Sequence, residues 1–296
     1  MGDTDSSRVS SEVLGGLVLK RIEPLDAEAA LALSDEARWN QTVEDWRFML
    51  TQGRATGLWE PGVGWAASSL ILPQARGLAW ISMVLVSGRH RRKGLGTALL
   101  RRCIDDVRAS GAVPGLDATE LGRPVYLPLG FSDVFGTSRW RVDLESAADP
   151  LAPSCVIRRM TEGDLPAVVA FDAARAAASR GHVLRYFFGR VRDRACLAEA
   201  DGRIVGYALG RPGRRTAQIG PVVAERPDIA VALVARMLAF RAPVILDVPD
   251  TQEEFVAWLR DLGAVRERGF TRMTLGRFAG LEDASCIYGL AGPELG

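Results

Sequence analysis

The sequence has little of what marks a metal, redox or secreted protein. Of its 296 residues two are histidine, His90 and His182, and four are cysteine, Cys103, Cys155, Cys196 and Cys286. The cysteines stand far apart with no Cys-x-x-Cys pair, so neither a zinc site nor a disulfide framework is expected. No window approaches the about 18 apolar residues of a membrane helix. The polar start, residues 1–11, lacks the apolar stretch of a signal peptide. Net charge is missing too, since 37 basic residues face 36 acidic ones. Such a balance gives no overall field to concentrate nucleic acid or an anionic membrane. The expectation is a cytoplasmic protein with no resident metal and no nucleic-acid or membrane partner, in which any anion site is local.

What is present is enough apolar sequence, 48% of the chain, for two ordinary cores. The chain also repeats itself. Val18-Leu19-Lys20-Arg21-Ile22 is followed by Asp26, and Val156-Ile157-Arg158-Arg159-Met160 by Asp164 at the same spacing. Each run reads as a strand leading into a helix rich in alanine and apolar residues. The two halves end alike as well, with Ser138-Arg139-Trp140 after Leu129-Gly130 and Thr271-Arg272-Met273 after Leu262-Gly263. The expected organisation is a first domain over 1–146, a small, proline-containing linker over 147–155, and a second domain over 156–296. In the second half, 197–209, 217–223 and 244–248 read as strands and 229–240 and 251–262 as helices.

The halves diverge in the middle. Residues 80–86 are apolar, β-branched or aromatic almost throughout, as suits a strand buried on both faces. From Leu95 the apolar residues Leu95, Ala98, Leu99, Cys103, Ile104 and Val107 recur at helical spacing, with Gly111 as a stop. The basic, glycine-containing loop between them, Arg91-Arg92-Lys93-Gly94-Leu95-Gly96-Thr97, therefore opens a helix. The first amides of a helix have no partner within it and carry the positive end of its dipole, so they can hold a phosphate. Small residues at 94 and 96 let a diphosphate approach the backbone. A solvated basic turn or a local nucleic-acid patch is the alternative. A Gly-x-x-x-x-Gly-Lys-Ser/Thr loop is absent, and Leu99 stands where a dinucleotide fingerprint needs a small residue. The second half runs through Glu225, Arg226 and Pro227 instead, three residues shorter.

These residues resemble the Gcn5-related N-acetyltransferase (GNAT) superfamily, whose signature Arg/Gln-x-x-Gly-x-Gly/Ala matches Arg91, Gly94 and Gly96. The stretch Tyr126-Leu127-Pro128-Leu129-Gly130-Phe131 is similar to the family's late Tyr-x-x-x-Gly-Phe element. The resemblance covers about 16–146; the second half looks like the degenerate copy of tandem members, down to its ending at 288–294. It implies an α/β fold of two tandem domains, each a mixed, mostly antiparallel sheet with a V-shaped splay flanked by helices. It implies acetyl-CoA as cosubstrate, its pantetheine arm lying between strands at 79–87 and 113–118. Backbone groups near Met83, Val84 and Val86 would bind that arm, and Arg91, Arg92, Lys93, Gly94, Leu95, Gly96 and Thr97 the diphosphate.

Tyr126 matches the general acid of the family; read alone, it is equally a core aromatic with a hydrated hydroxyl. Its aligned residue in the second half is Leu259. Asn40 beside Trp39 and Gln41 stands where such enzymes line the acceptor side, although it could also cap the following helix. Glu60 and Asp117 are candidate proton acceptors, while Thr42 and Asp45 fit a capping box. The expected activity is transfer of an acetyl group to a primary amine of a small molecule by a monomer or homodimer. A protein N-acetyltransferase and a noncatalytic CoA-binding sensor are the alternatives.

Overall fold

The computed structural model describes residues 13–14, 16–143, 155–176, 178–238, 243–281 and 283–296. The first half runs β1 (Val13–Leu14), β2 (Leu17–Ile22), α1 (Ala27–Glu36), α2 (Val43–Gln52), β3 (Arg54–Glu60), β4 (Gly64–Gln74), β5 (Leu78–Val86), α3 (Leu95–Ala109), β6 (Val113–Thr119), α4 (Arg123–Tyr126) and β7 (Ser132–Val142). The second half repeats it from β2 onward: β8 (Val156–Arg159), α5 (Leu165–Ala173), α6 (Gly181–Arg190), β9 (Ala195–Ala200), β10 (Arg203–Arg211), β11 (Ala217–Ala224), α7 (Pro227–Leu238), β12 (Val244–Pro249), α8 (Glu253–Asp261) and β13 (Val265–Thr274). A final short strand, β14 (Ile287–Gly289), has no counterpart. The expected linker falls, but for Cys155, outside the described residues, as do residues 239–240 of the expected helix.

Local rules account for most elements. Thr42 and Asp45 close the capping box that starts α2, with Thr42 N–H donating to Asp45 Oδ2 at 2.8 Å. Leu95, Leu99, Leu100, Cys103, Ile104 and Val107 form one buried stripe on α3, and Gly111 leaves the helix at φ +76°. The expected single strand over 197–209 is two strands, β9 and β10. Asp201 and Gly202 at its centre both take positive φ and turn the chain back on itself. Asp-Gly between apolar runs is a hairpin signal, which the nearly continuous apolar pattern hid.

The strands form one sheet in the order β1-β2-β3-β4-β5-β6-β13-β7-β12-β11-β10-β9-β8, with β14 on β11. Chain order breaks at β13 and β7. The last strand of the second half pairs antiparallel with β6 of the first, and β7 of the first with β12 of the second. Each half thus completes the other's sheet. Two ion pairs cross the exchange at equivalent places. Arg139 on β7 gives Nε and Nη2 to Asp247 on β12 at 2.7 and 2.8 Å, and Arg272 on β13 gives the same atoms to Asp117 on β6 at 3.0 and 2.9 Å. Both aspartate side chains are fully buried. One apolar core, from Trp46, Met49, Leu70 and Trp80 to Phe187, Tyr207 and Leu295, spans the halves on the α1–α2 side.

Because each half lacks its own last strand, unfolding is expected to be a single cooperative transition in urea; two resolved transitions would contradict the exchange. Removing one partner of a buried pair strands a charge and costs about 3–5 kcal/mol, whereas replacing both by apolar residues is often neutral. Asp247→Ala is therefore expected to lower stability by about 3–5 kcal/mol, and the double variant Arg139→Met/Asp247→Leu to recover most of it.

Candidate active site

The site begins where β5 and β6 part. They pair in parallel only from Leu78–Val113 to Trp80–Gly115. Beyond that, 81–86 and 116–119 diverge, and one edge of β5 is left without a strand. A bulge occurs in the same stretch: Ser68 opposes Leu85 and Leu70 opposes Ser82, so Met83 and Val84 face the single residue Ser69. Met83 holds φ +51°, a strained value for a side-chain-bearing residue, and its carbonyl accepts from Ser68 Oγ at 2.8 Å. A bulge of this kind takes backbone groups out of the ladder and re-aims them.

At the mouth of the gap lies the glycine-containing loop. Gly94 takes φ +74° as the cap of α3 with open space around it, so its role includes a left-handed turn as well as the absence of a side chain. A Cβ on Gly96 would stand 3.3 Å from Val86 Cγ2. No side chain caps α3, and its first amides are left for a ligand. Arg91 Nε donates to Val86 O at 3.2 Å, and Glu36 accepts from Gly88 N–H, so the chain is tied down where it enters the loop.

A cavity of about 450 Å³ runs from this loop through the gap. Its lining takes in Met83, Val84, Val86, Arg91, Arg92, Gly94, Leu95, Gly96, Thr97, Asn40, Asp117 and Tyr126, and so brings together most of the expected residues; Lys93 and Glu60 are not among them. Glu60 stands at the end of β3, where its carboxylate meets His90 Nε2 at 2.9 Å, and it is the His90 ring that borders the cavity. Asp117 is on the wall, but both its oxygens are held by Arg272. Burial raises its carboxyl against the pull of that arginine. Its equivalent, Asp247, does the same structural work in the other half, so neither Glu60 nor Asp117 is carried forward as a proton acceptor.

Asn40 is neither an open acceptor ligand nor a cap, since Thr42 caps α2. Its amide donates to Thr216 O at 2.8 Å, and its Oδ1 accepts from the N–H groups of Arg215 and Thr216 at 3.0 and 3.1 Å. It ties the α1–α2 loop to the second half.

Tyr126 ends α4 on the α3 side of the gap and packs on Gly122, where a Cβ would lie 3.0 Å from the ring and 3.2 Å from the hydroxyl. Among the described residues its hydroxyl has no hydrogen-bond partner. Burial raises its pKa, which keeps the phenol protonated at neutral pH and suits it to give a proton rather than take one. Its counterpart Leu259 is wholly buried in the second core. The thiols of Cys103 and Cys196 are pushed up to about 11 by burial, so neither is a ready nucleophile. Among the described residues no cluster of acids, histidines or cysteines could hold a metal, and no helix is long and apolar enough to cross a membrane.

The far side of the cavity, lined by Trp39, Gln41, Arg139, Arg268, Phe270, Pro293 and Glu294, draws on both halves. The strand exchange brings in Arg268 and Phe270 on β13. The C-terminal tail brings in Glu294: Trp80 Nε1 donates to Pro293 O at 2.8 Å, Gln74 Nε2 to Leu295 O at 2.9 Å and Arg180 Nη1 to Gly296 O at 3.0 Å. Glu294 pairs with Arg211, which is also 2.9 Å from Asp45. Sequence reading named the Trp39–Gln41 stretch but missed Arg139, Arg268, Phe270, Pro293 and Glu294, although Arg139, Pro293 and Glu294 lay inside stretches that it had matched.

The second half has the corresponding gap, and it is filled. β11 and β12 pair only at Ala217–Val244 and Gln218–Ile245. Beyond that, β14 pairs with β11, and Leu290 N–H donates to Asp247 O at 2.8 Å. The chain's own strand occupies the space that the first half leaves open.

A strand gap with a helix N-terminus at its mouth, present twice in a mixed sheet, defines the fold of the acyl-CoA N-acyltransferases. A model of the acetyltransferase (GNAT) family matches residues 26–131, and one of the acetyltransferase (GNAT) domain matches residues 168–289. The chain belongs to the Gcn5-related N-acetyltransferase family and carries two such domains in tandem, the second degenerate at its cofactor loop. It is 24% identical over 237 residues to the uncharacterized N-acetyltransferase YitH of Bacillus subtilis, covering 79% of this chain and 82% of that one. In fold it is similar to a crystal structure assigned as an acetyltransferase from Pyrococcus horikoshii, with a TM-score of 0.78 at 18% identity over 99% of this chain and 100% of that one. A tandem GNAT protein of the clavulanic acid biosynthesis pathway has a TM-score of 0.64 at 17% identity over 88% and 99% of the two chains.

Asn40→Ala leaves three backbone groups of residues 215–216 without partners, each costing about 1 kcal/mol where water cannot replace the bond. The expected loss is about 1–3 kcal/mol in urea unfolding; an unchanged midpoint would remove Asn40 as a tether.

Proposed function

We propose that the chain is an acetyl-CoA-dependent N-acetyltransferase acting on a primary amine of a small molecule, with one cofactor site in the first half. The observation that carries this is the unpaired edge of β5, continuous with the free amides of α3 on one side and with a two-sided acceptor chamber on the other. Acetyl-CoA is a substrate of matching shape. Its pantetheine arm pairs with the β5 edge as a strand would, and its diphosphate meets the α3 amides beside Arg91 and Arg92. In the filled gap of the second half, β14 already makes those bonds.

In the reaction, amide groups at the Met83–Val84 bulge polarise the thioester carbonyl, where negative charge grows in the tetrahedral transition state. The amine nitrogen bonds to the carbonyl carbon and gives up one proton to solvent. As the carbon–sulfur bond breaks, Tyr126 gives its hydroxyl proton to the leaving thiolate and regains one from solvent. The acceptor chamber is walled by the α1–α2 loop, β7, β13 and the C-terminal tail, a closure that favours a small molecule over a folded protein.

Tyr126→Phe is expected to lower kcat by about 10²–10⁴-fold with the KM for acetyl-CoA little changed, measured by thiol release with a panel of amines. Unchanged turnover would take Tyr126 out of the mechanism. Because its pKa is raised, the limb of the pH profile that depends on a protonated phenol stays flat through neutral pH and falls only at pH above the ordinary tyrosine value. Titration calorimetry is expected to give one CoA per chain, and two equivalent sites would overturn the assignment to the first half.

A further inference from the structure

The acyl-transfer reading leaves open what the acceptor carries besides its amine, and the inference that follows rests on that reading. Three residues stand abreast on adjacent strands: Asp247 on β12, Arg139 on β7 and Arg268 on β13. Asp247 gives both oxygens to Arg139. Arg268 directly opposes Arg139 and has no ion pair among the described residues. Continuing the register beyond Phe270–Thr119 brings Leu121, not an acid, to its other side. The neighbouring row is complete, since Arg272 there has Asp117.

Like charges directly opposite on adjacent strands repel. Burial and then the charge of Arg139 lower the pKa of Arg268, outweighing the pull of the carboxylates of Asp247, Glu267 and Glu294, none of which forms an ion pair with it. Both guanidinium groups lie against the ring of Phe270, 5.3 Å from its centre for Arg139 and 5.4 Å for Arg268. Both arginines and the ring line the cavity. At the tail the imbalance is reversed: two carboxylates, Asp45 and Glu294, share the one guanidinium of Arg211. Nearby in the lining, Gln41 has a buried Oε1 with no partner.

We propose that the acceptor is an amino-acid-like zwitterion whose carboxylate is bound by Arg268 and whose amine lies toward Glu294 and Gln41, with Arg268 the residue that sets specificity. A carboxylate fits better than a phosphate. Arg139 has its Nε and Nη2 committed to Asp247, so a single free guanidinium fork is offered, which matches one carboxylate.

The test uses the full chain with acetyl-CoA, the common amino acids, their carboxamides and O-phosphoethanolamine. At least one amino acid is expected to exceed its carboxamide by about tenfold or more in kcat/KM, as one charge-assisted pair provides. Arg268→Gln is expected to abolish that advantage through KM rather than kcat, and Arg268→Lys to restore part of it. Equal use of acids and carboxamides, a preference for O-phosphoethanolamine, or an unchanged advantage in Arg268→Gln overturns the proposal. Failure of the acyl-transfer reading looks different, since no amine then releases CoA. In that case the amino acids are titrated calorimetrically into the protein with CoA: binding weakened by Arg268→Gln supports the anion subsite, and no binding overturns it.

Discussion

The exchange of the last strands, held by Arg139–Asp247 and Arg272–Asp117, is the constraint on which the rest depends. Four charges are taken out of water there, which is tolerable only where each finds its partner with both hydrogen bonds made. The two pairs are equivalent under the internal repeat, so a duplicated strand-end arginine and a duplicated strand aspartate suffice to specify them. Arg272–Asp117 fixes the register of β13 against β6, and Arg139–Asp247 that of β7 against β12. Everything that β13 presents to the cavity follows from that register.

The gap between β5 and β6 exists because the parallel pair ends after three residues and the Met83 bulge turns the strand away. An exposed strand edge is a liability unless something pairs with it. The two halves meet that liability differently. In the first half the edge is left open beside a helix N-terminus that attracts anions. In the second, β14 closes it and Leu259 replaces Tyr126 in the core, so one ancestral geometry gives a site in one copy and a packed sheet in the other.

Much of this was legible in the sequence. The duplication, the strand–loop–helix at 80–107, the divergence of the second loop and the position of Tyr126 all rest on short-range patterns, which local physics fixes. What could not be read is what depends on partners far along the chain. Asp117 looked like a free acid because Arg272 lies 155 residues away; Asn40 looked like an acceptor ligand or a cap because its partners at 215–216 are in the other half. The strand exchange leaves no local trace, since β7 and β13 have the same pattern in either pairing. Glu60 and His90 stand 30 residues apart in the chain, and only the fold sets them side by side.

The fate of the second gap also bears on the acceptor side of the first. β14 is anchored in that gap by β11 and by the Asp247 carbonyl, and the chain leaves it at Leu290 heading toward the other half. Six residues later Gly296 is held by Arg180, and Leu295 and Pro293 before it by Gln74 and Trp80. Glu294 is therefore positioned from both ends, by a strand that fills the space a second cofactor would need and by a tryptophan on the very strand whose edge the first cofactor would use. A second half that kept its gap open would have no fixed point from which to deliver that carboxylate. On the proposed reading, the strand that fills the second gap is also what holds Glu294 at the wall of the first cavity.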